Sequence, residues 1–160
     1  MSDFVDIPVR LDIDELAAPF SRALTALDSA TKRVLDSAAI EAPLRELVRI
    51  RASQINGCTY CVDVHTTDAL NGGDTVRRVA AIAVWNESAA FTTRERAALA
   101  FTEVVTLAAS TRVPDEAFDA ARAVFTDTEL AAILSLIVAI NAWNTVGVAA
   151  RPWPVDYTQA

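Results

Sequence analysis

Glu46-Leu47-Val48-Arg49-Ile50-Arg51-Ala52-Ser53-Gln54-Ile55-Asn56-Gly57-Cys58-Thr59-Tyr60-Cys61-Val62-Asp63-Val64-His65 is the stretch whose reading decides the fold. Just upstream, Pro43 opens a helix, because a proline's missing N–H would be unpaired in a first turn anyway. Leu44, Leu47, Val48, Ala52 and Ile55 then recur at helical spacing as an apolar stripe. Asn56-Gly57 stops this helix, since both residues accept the left-handed conformation of a C-cap. A second helix starts near Cys58 and ends at Asn71-Gly72-Gly73. The stretch therefore predicts helix, turn, helix, with both cysteines and the chain's one histidine at or just past the junction.

Working outward, the same signals repeat. Residues 1–12 read as an extended arm: Phe4, Val5, Ile7, Val9 and Leu11 roughly alternate, but Pro8 interrupts them. Asp12 or Asp14 caps the helix after the arm, and Pro19 fits a first turn. From Phe20 to Leu35 the apolar positions are Leu24, Leu27, Ala30, Val34 and Leu35. Asp74 or Thr75 caps a short helix running through Val84 and Trp85. Thr92 or Thr93 begins another, with Ala97, Leu99, Ala100, Val104 and Leu107 as its core positions. Pro114-Asp115-Glu116 and Thr126-Asp127-Thr128-Glu129 start two more, the last ending before Arg151-Pro152-Trp153-Pro154. The fold class is all-α, with about six to eight helices. Nothing divides residues 1–160, so they read as a single domain with its core at about 20–150, an arm at 1–12 and a tail at 151–160.

Composition sets limits. Hydrophobic residues are 52% and charged residues 22% of the 160, the balance of a folded globular chain. Four glycines and six prolines leave few helix breakers. A formal net charge of −7 argues against a nucleic-acid partner and against an anionic membrane surface. Met1-Ser2-Asp3-Phe4 lacks the basic start of a secretory signal. The longest apolar run, Leu130 to Val148, is broken by Ser135, Asn141, Asn144 and Gly147. It reads as a core or interface helix rather than a membrane span. The expected location is the cytoplasm, where two cysteines are not a structural disulfide framework. Trp85 and Trp143 read as core or interface fillers, and Trp153, between two prolines, as a docking anchor.

The chemistry sits at the junction. Cys58 and Cys61 are three apart, so on a helix their Cβ atoms lie roughly 5–6 Å from each other. Modest adjustment brings them to disulfide separation. His65 stands one turn beyond Cys61 on the same face, where its imidazole can take the thiol proton. Cys58 lies at a helix start, where unpaired N–H groups favour negative charge. Both effects lower a thiol pKa, and the thiolate is the nucleophile. A second thiol lets an oxidised first one resolve as a disulfide instead of advancing to irreversible acids. Three plainer readings compete. The cysteines could be ordinary core residues. The trio could bind zinc, though a structural site wants a fourth ligand. A CxxC at a helix start could be a thioredoxin motif, but no βαβ pattern surrounds it.

At these residues the sequence resembles the alkylhydroperoxidase D (AhpD)-like group of the carboxymuconolactone decarboxylase superfamily. The resemblance spans about residues 20–150. A carboxylate at Glu46, then CxxC twelve residues on, then His65 form its centre. Trp85, the Phe91–Thr106 segment and Ile140-Asn141-Ala142-Trp143-Asn144 add to it. It implies an AhpD-like all-α fold, a symmetric homo-oligomer (dimer, trimer or hexamer) and a proton relay. In that relay Glu46 acts on His65, and His65 draws the proton from the cysteine pair. Cys61 attacks the peroxide oxygen and becomes a sulfenic acid. Cys58 closes the disulfide, and an external dithiol or protein thiol reductant reopens it. Some peroxidase members carry a second histidine just before the latter cysteine. Here that position is Tyr60, a phenol with a pKa of about 10 and a poor proton shuttle.

The expected function is thus a thiol-dependent peroxidase or disulfide oxidoreductase acting on a hydroperoxide, with Cys58, Cys61, His65 and Glu46 as catalytic residues. No metal or cofactor enters this expectation. Two alternatives remain. One is a lactone-acid decarboxylase of the superfamily's naming type. The other is a non-enzymatic redox-sensing oligomer, joined through the helices at 92–109 and 130–149.

Overall fold

The structure, a computed structural model, describes residues 5–157. Among them there are nine α-helices and no strand: α1 (Ile13–Leu16), α2 (Ala18–Ser37), α3 (Ala42–Asn56), α4 (Thr59–Asn71), α5 (Val76–Ala81), α6 (Thr93–Thr106), α7 (Ala108–Thr111), α8 (Asp115–Arg122) and α9 (Asp127–Ala150). A 3₁₀ segment, Ile82–Glu87, continues α5. Two of the nine, α1 and α7, are single turns with no buried residue. The remaining seven are the helices that the sequence predicts.

Local chemistry sets their ends. Pro19 and Pro43 occupy the first turns of α2 and α3. Gly57 adopts φ 73° at the end of α3, a conformation that costs glycine nothing. Thr92 and Thr126 close capping boxes with Glu95 and Glu129. Each box satisfies two N–H groups that a helix start otherwise leaves unpaired.

The centre of the fold is α9, which packs against α2, α3 and α6. It is long and apolar enough to cross a membrane by length and composition. Its inward residues, among them Ile133, Leu136, Ile137 and Ile140, are nonetheless buried against the other helices. The main core joins the first three to Leu35, Val48, Phe101 and Phe125, while Ile140 packs with Ala52, Cys58 and Cys61.

Some expected core positions face outward. On α2, Leu24 and Leu35 are buried, but Leu27 and Val34 are exposed and Thr31 is buried in their place. On α6 the buried face carries Ala98, Leu99, Phe101 and Thr102, while Ala100 and Leu107 are exposed. In both helices alanines flank the true stripe and blur its phase, so periodicity shows a helix more clearly than it shows its inner face.

The arm from Val5 to Asp12 is irregular, as expected, and its last part is tied down. The backbone N–H groups of Arg10 and Leu11 donate to the carbonyl of Ala150 (2.9 and 3.1 Å), satisfying a carbonyl at the end of α9. Met1–Phe4 lie outside the described residues.

Candidate active site

α3 and α4 form a helix–turn–helix around Gly57, and α9 crosses both. Cys58 is the N-cap of α4, and its sulfur accepts the N–H of Cys61 (3.3 Å). The two cysteines form a disulfide with Cα atoms 5.3 Å apart. They are 2% and 4% exposed, so the disulfide is buried.

Polar residues of α9 hold the turn. Asn56 donates to the side-chain oxygens of Asn141 (2.8 Å) and Asn144 (3.0 Å). Asn144 is fully buried and donates to the Ser53 hydroxyl at 2.9 Å. Gly147 comes next on this face. A Cβ there would sit 2.6 Å from Cys58 Sγ and 3.7 Å from Cys61 Sγ. Glycine is therefore what lets α9 press against the disulfide. Asn141, Asn144 and Gly147 are three of the four breaks in the apolar run noted in the sequence; the fourth, Ser135, donates to the Ala131 carbonyl within α9. Polar residues inside a buried apolar helix must find partners, and the two asparagines find the turn that carries the cysteines.

His65 lies one turn beyond Cys61 on α4. Its Nδ1 is 3.0 Å from Glu46 Oε2. Glu46 is also paired with Arg49, one turn on along α3. Burial pushes the Glu46 carboxyl up, but the His65 hydrogen bond and the Arg49 charge together hold it below its usual value. An ionised carboxylate only accepts, so Nδ1–H is the donor. Nε2 is then the basic nitrogen of the ring. The structure thus brings together all four predicted residues, Glu46, Cys58, Cys61 and His65, and adds Arg49.

The disulfide separates two clefts. One holds Cys61 and His65 and has a volume of about 230 Å³. Its walls include Tyr60, Trp143 and Trp153, with Leu136 and Ile140 from α9. The other holds Cys58 and is lined by Ser53, Gln54, Asp63 and Tyr157. Tyr60 is thus a wall of the Cys61 cleft.

Glu46, His65 and Asp68 each place a possible ligand atom within 4.8 Å of one another. The Arg49 guanidinium already balances Glu46, and its charge opposes a cation there. The zinc set read from the sequence differs, because the disulfide takes up both thiolates.

The profile of the carboxymuconolactone decarboxylase family matches residues 18–104, more than half of the 160. The chain belongs to the carboxymuconolactone decarboxylase family. The match contains all of the Glu46–Cys58–Cys61–His65 cluster, whereas the α9 residues that hold it lie beyond. Among relatives of this family member, the uncharacterized protein YdfG of Bacillus subtilis is 34% identical over 140 residues, which are 88% of this chain and 92% of YdfG. A solved structure from Agrobacterium tumefaciens is 35% identical, with TM-score 0.85, covering 93% of this chain and all of that one. That protein is of unknown function, with a suggested role as the antioxidant defence protein AhpD. The fold of the present chain is AhpD-like. The debrominase Bmp8 shares this fold at 19% identity, with TM-score 0.76 over 89% of this chain and 74% of Bmp8.

Sequence reasoning missed Arg49 and Gly147 as site residues and read Trp153 as a partner-docking anchor without placing it beside Tyr60 and Trp143. Arg49 carried a usable signal: an arginine three residues after a half-buried glutamate on one helix face is placed to pair with it. No local pattern places Trp153, because its position depends on where the tail turns back.

Proposed function

We propose that this family member is a thiol-dependent peroxidase, with Cys61 as the attacking thiol and Cys58 as the resolving one. The observation that supports this most is the buried Cys58–Cys61 pair, with His65 in the Cys61 cleft and oriented by Glu46. His65 Nε2 takes the proton of the Cys61 thiol. The thiolate attacks the terminal oxygen of the hydroperoxide and the O–O bond breaks. Cys61 becomes a sulfenic acid, and the alkoxide leaves as the alcohol with a proton from His65. The Cys58 thiolate then attacks the Cys61 sulfur, and hydroxide departs, protonated to water. A dithiol reductant reduces the disulfide and is itself oxidised to a disulfide. The cytoplasm is the compartment we propose for this cycle, because its reducing poise returns the thiols. Leu134, Val138 and Val148 expose apolar surface on α9, and we propose that copies of this chain associate.

The test is hydroperoxide consumption with a dithiol reductant by the parent, Cys61→Ser and Cys58→Ser. Cys61→Ser should abolish turnover. In the absence of reductant, Cys58→Ser should consume one equivalent and stop at a sulfenic acid, detectable by mass. Parent-like turnover in both variants rules the mechanism out. Decarboxylation of a lactone acid that survives replacement of both cysteines supports the naming chemistry of the family instead.

A further inference from the structure

The tail after α9 does more than end the chain. Arg151 takes a left-handed conformation (φ 50°) and turns the backbone. Pro152 and Pro154 then restrict the dihedrals on either side of Trp153. The indole lies 5.5 Å from the Trp143 ring and 5.2 Å from the Tyr60 ring, centroid to centroid. Its Nε1–H donates to Asp14 Oδ2 at 2.9 Å, while Ser21 donates to the other carboxylate oxygen at 2.7 Å. Trp153 Cζ3 would also lie 3.7 Å from a Cβ on Gly147, the residue against both sulfurs. The tail therefore brings in one wall of the Cys61 cleft, and α1 and α2 fasten it.

From this geometry we infer that Trp153 is a specificity-determining residue, making the Cys61 cleft a site for hydroperoxides whose organic part is a flat apolar ring. The word hydroperoxide rests on the peroxidase reading; the ring-binding cleft does not. Three aromatic walls meet there, and aromatic faces prefer offset or edge contacts with another ring. Val64, Leu136 and Ile140 supply aliphatic surface, while Cys61, His65, Arg49 and Asp28 supply the polar part of the lining. The volume of about 230 Å³ lies below the roughly 300–1,000 Å³ of drug-sized sites, so a single ring with a short chain suits it. A ring against the indole carries its peroxide group toward Cys61. Hydrogen peroxide has nothing to place there.

The experiment compares kcat/KM for cumene hydroperoxide, tert-butyl hydroperoxide and hydrogen peroxide, with dithiothreitol as reductant. The parent should favour cumene hydroperoxide over tert-butyl hydroperoxide. Trp153→Ala should lower that ratio about tenfold, the scale of discrimination that one apolar wall provides. Trp153→Leu keeps apolar bulk without a ring and should lower it too, as should Asp14→Ala to a lesser degree. In parallel, 2-phenyl-2-propanol is titrated into the oxidised protein by calorimetry. It should bind the parent and bind Trp153→Ala about tenfold more weakly. A parent without ring preference, or a ratio unchanged in a folded Trp153 variant, overturns the inference. Trp153-dependent binding of the alcohol without turnover of any peroxide overturns the peroxidase reading and leaves the ring site standing.

Discussion

Glu46 on α3 and Glu95 on α6, two helices that pack together, occupy similar electrostatic settings. Both are partly buried, which pushes a carboxyl upward, and both are held below the usual value by hydrogen-bond donors and an arginine. Glu95 closes the capping box of α6 and pairs with Arg78, which also holds Asp74. Its partners are backbone, hydroxyl and guanidinium groups, none of which changes charge near neutral pH. Glu46 is not a capping residue. Its partners are Arg49 and an imidazole that borders the same cleft as a cysteine sulfur. A depressed carboxyl therefore does not by itself mark a site. What distinguishes Glu46 is an imidazole partner, a group able to carry a proton.

The largest separation between the two carboxylates should come from their basic partners. His65→Ala should slow peroxide-driven disulfide formation by about 10²–10⁴-fold, the usual scale for a lost general base. Single-turnover kinetics on the reduced protein measures this. Arg78→Ala should leave the rate per folded molecule unchanged. It strands Glu95 and Asp74, whose side chains are 15% and 8% exposed, and should cost about 1–3 kcal/mol of stability. Urea unfolding reads the difference. A slowed rate in Arg78→Ala at full folding would give Arg78, which lines one cavity with Glu46 and His65, a part in the chemistry.

The carboxylates themselves come next. Glu46→Gln should slow oxidation by about 10–100-fold, because the ring loses the group that fixes its tautomer. Stability at pH 7 should fall by about 1 kcal/mol, because the pair with Arg49 is weakened. Glu95→Gln should leave the rate alone and cost about 1 kcal/mol through the weakened cap and ion pair. If Glu46→Gln keeps the parent rate, Glu46 is a structural carboxylate like Glu95.

Much of this contrast was legible in the sequence. Thr92-Thr93-Arg94-Glu95 reads as a helix start from spacing alone, and capping is a local interaction. Cys58, Cys61 and His65 read as neighbours because one helix carries all three. Glu46 stood on the resemblance, since its partner is 19 residues away and on another helix. The inner faces of α2 and α6 were blurred by alanines. The tail was least legible: nothing local links Trp153 to Asp14, 139 residues earlier, because the contact exists only once α9 has brought the chain back.

Gly147 offers a smaller test of how tightly α9 is packed against the disulfide. Glycine inside a helix normally costs up to about 1 kcal/mol against alanine. Gly147→Ala should reverse that sign, because its Cβ would meet Cys58 Sγ at 2.6 Å. Overpacking costs about 1–3 kcal/mol, so a net loss of about 1 kcal/mol is expected in the oxidised protein. Unfolding of oxidised Gly147→Ala against the parent reads it. A stabilised variant would mean that α9 gives way easily and does not hold the sulfurs in place.

The smallest effect is in pH, and here the two carboxylates should behave alike. Both have folded pKa values below the usual 4.5, so each binds fewer protons in the folded chain than in the unfolded one as pH falls. Their contribution to stability is complete above that usual value and is lost as pH drops through the depressed values. Urea midpoints should therefore show no loss from these groups between pH 7 and about pH 5.5, and a decline below about pH 4.5. Glu46→Gln and Glu95→Gln should each flatten that acid limb, by at most about 1.4 kcal/mol per pH unit for one proton. The oxidation rate should show no step from Glu46 above pH 5, where it stays ionised. A parent-like acid limb in Glu46→Gln would mean that its bonds to His65 and Arg49 do not hold the carboxylate in solution, and the orientation of the ring would need another source.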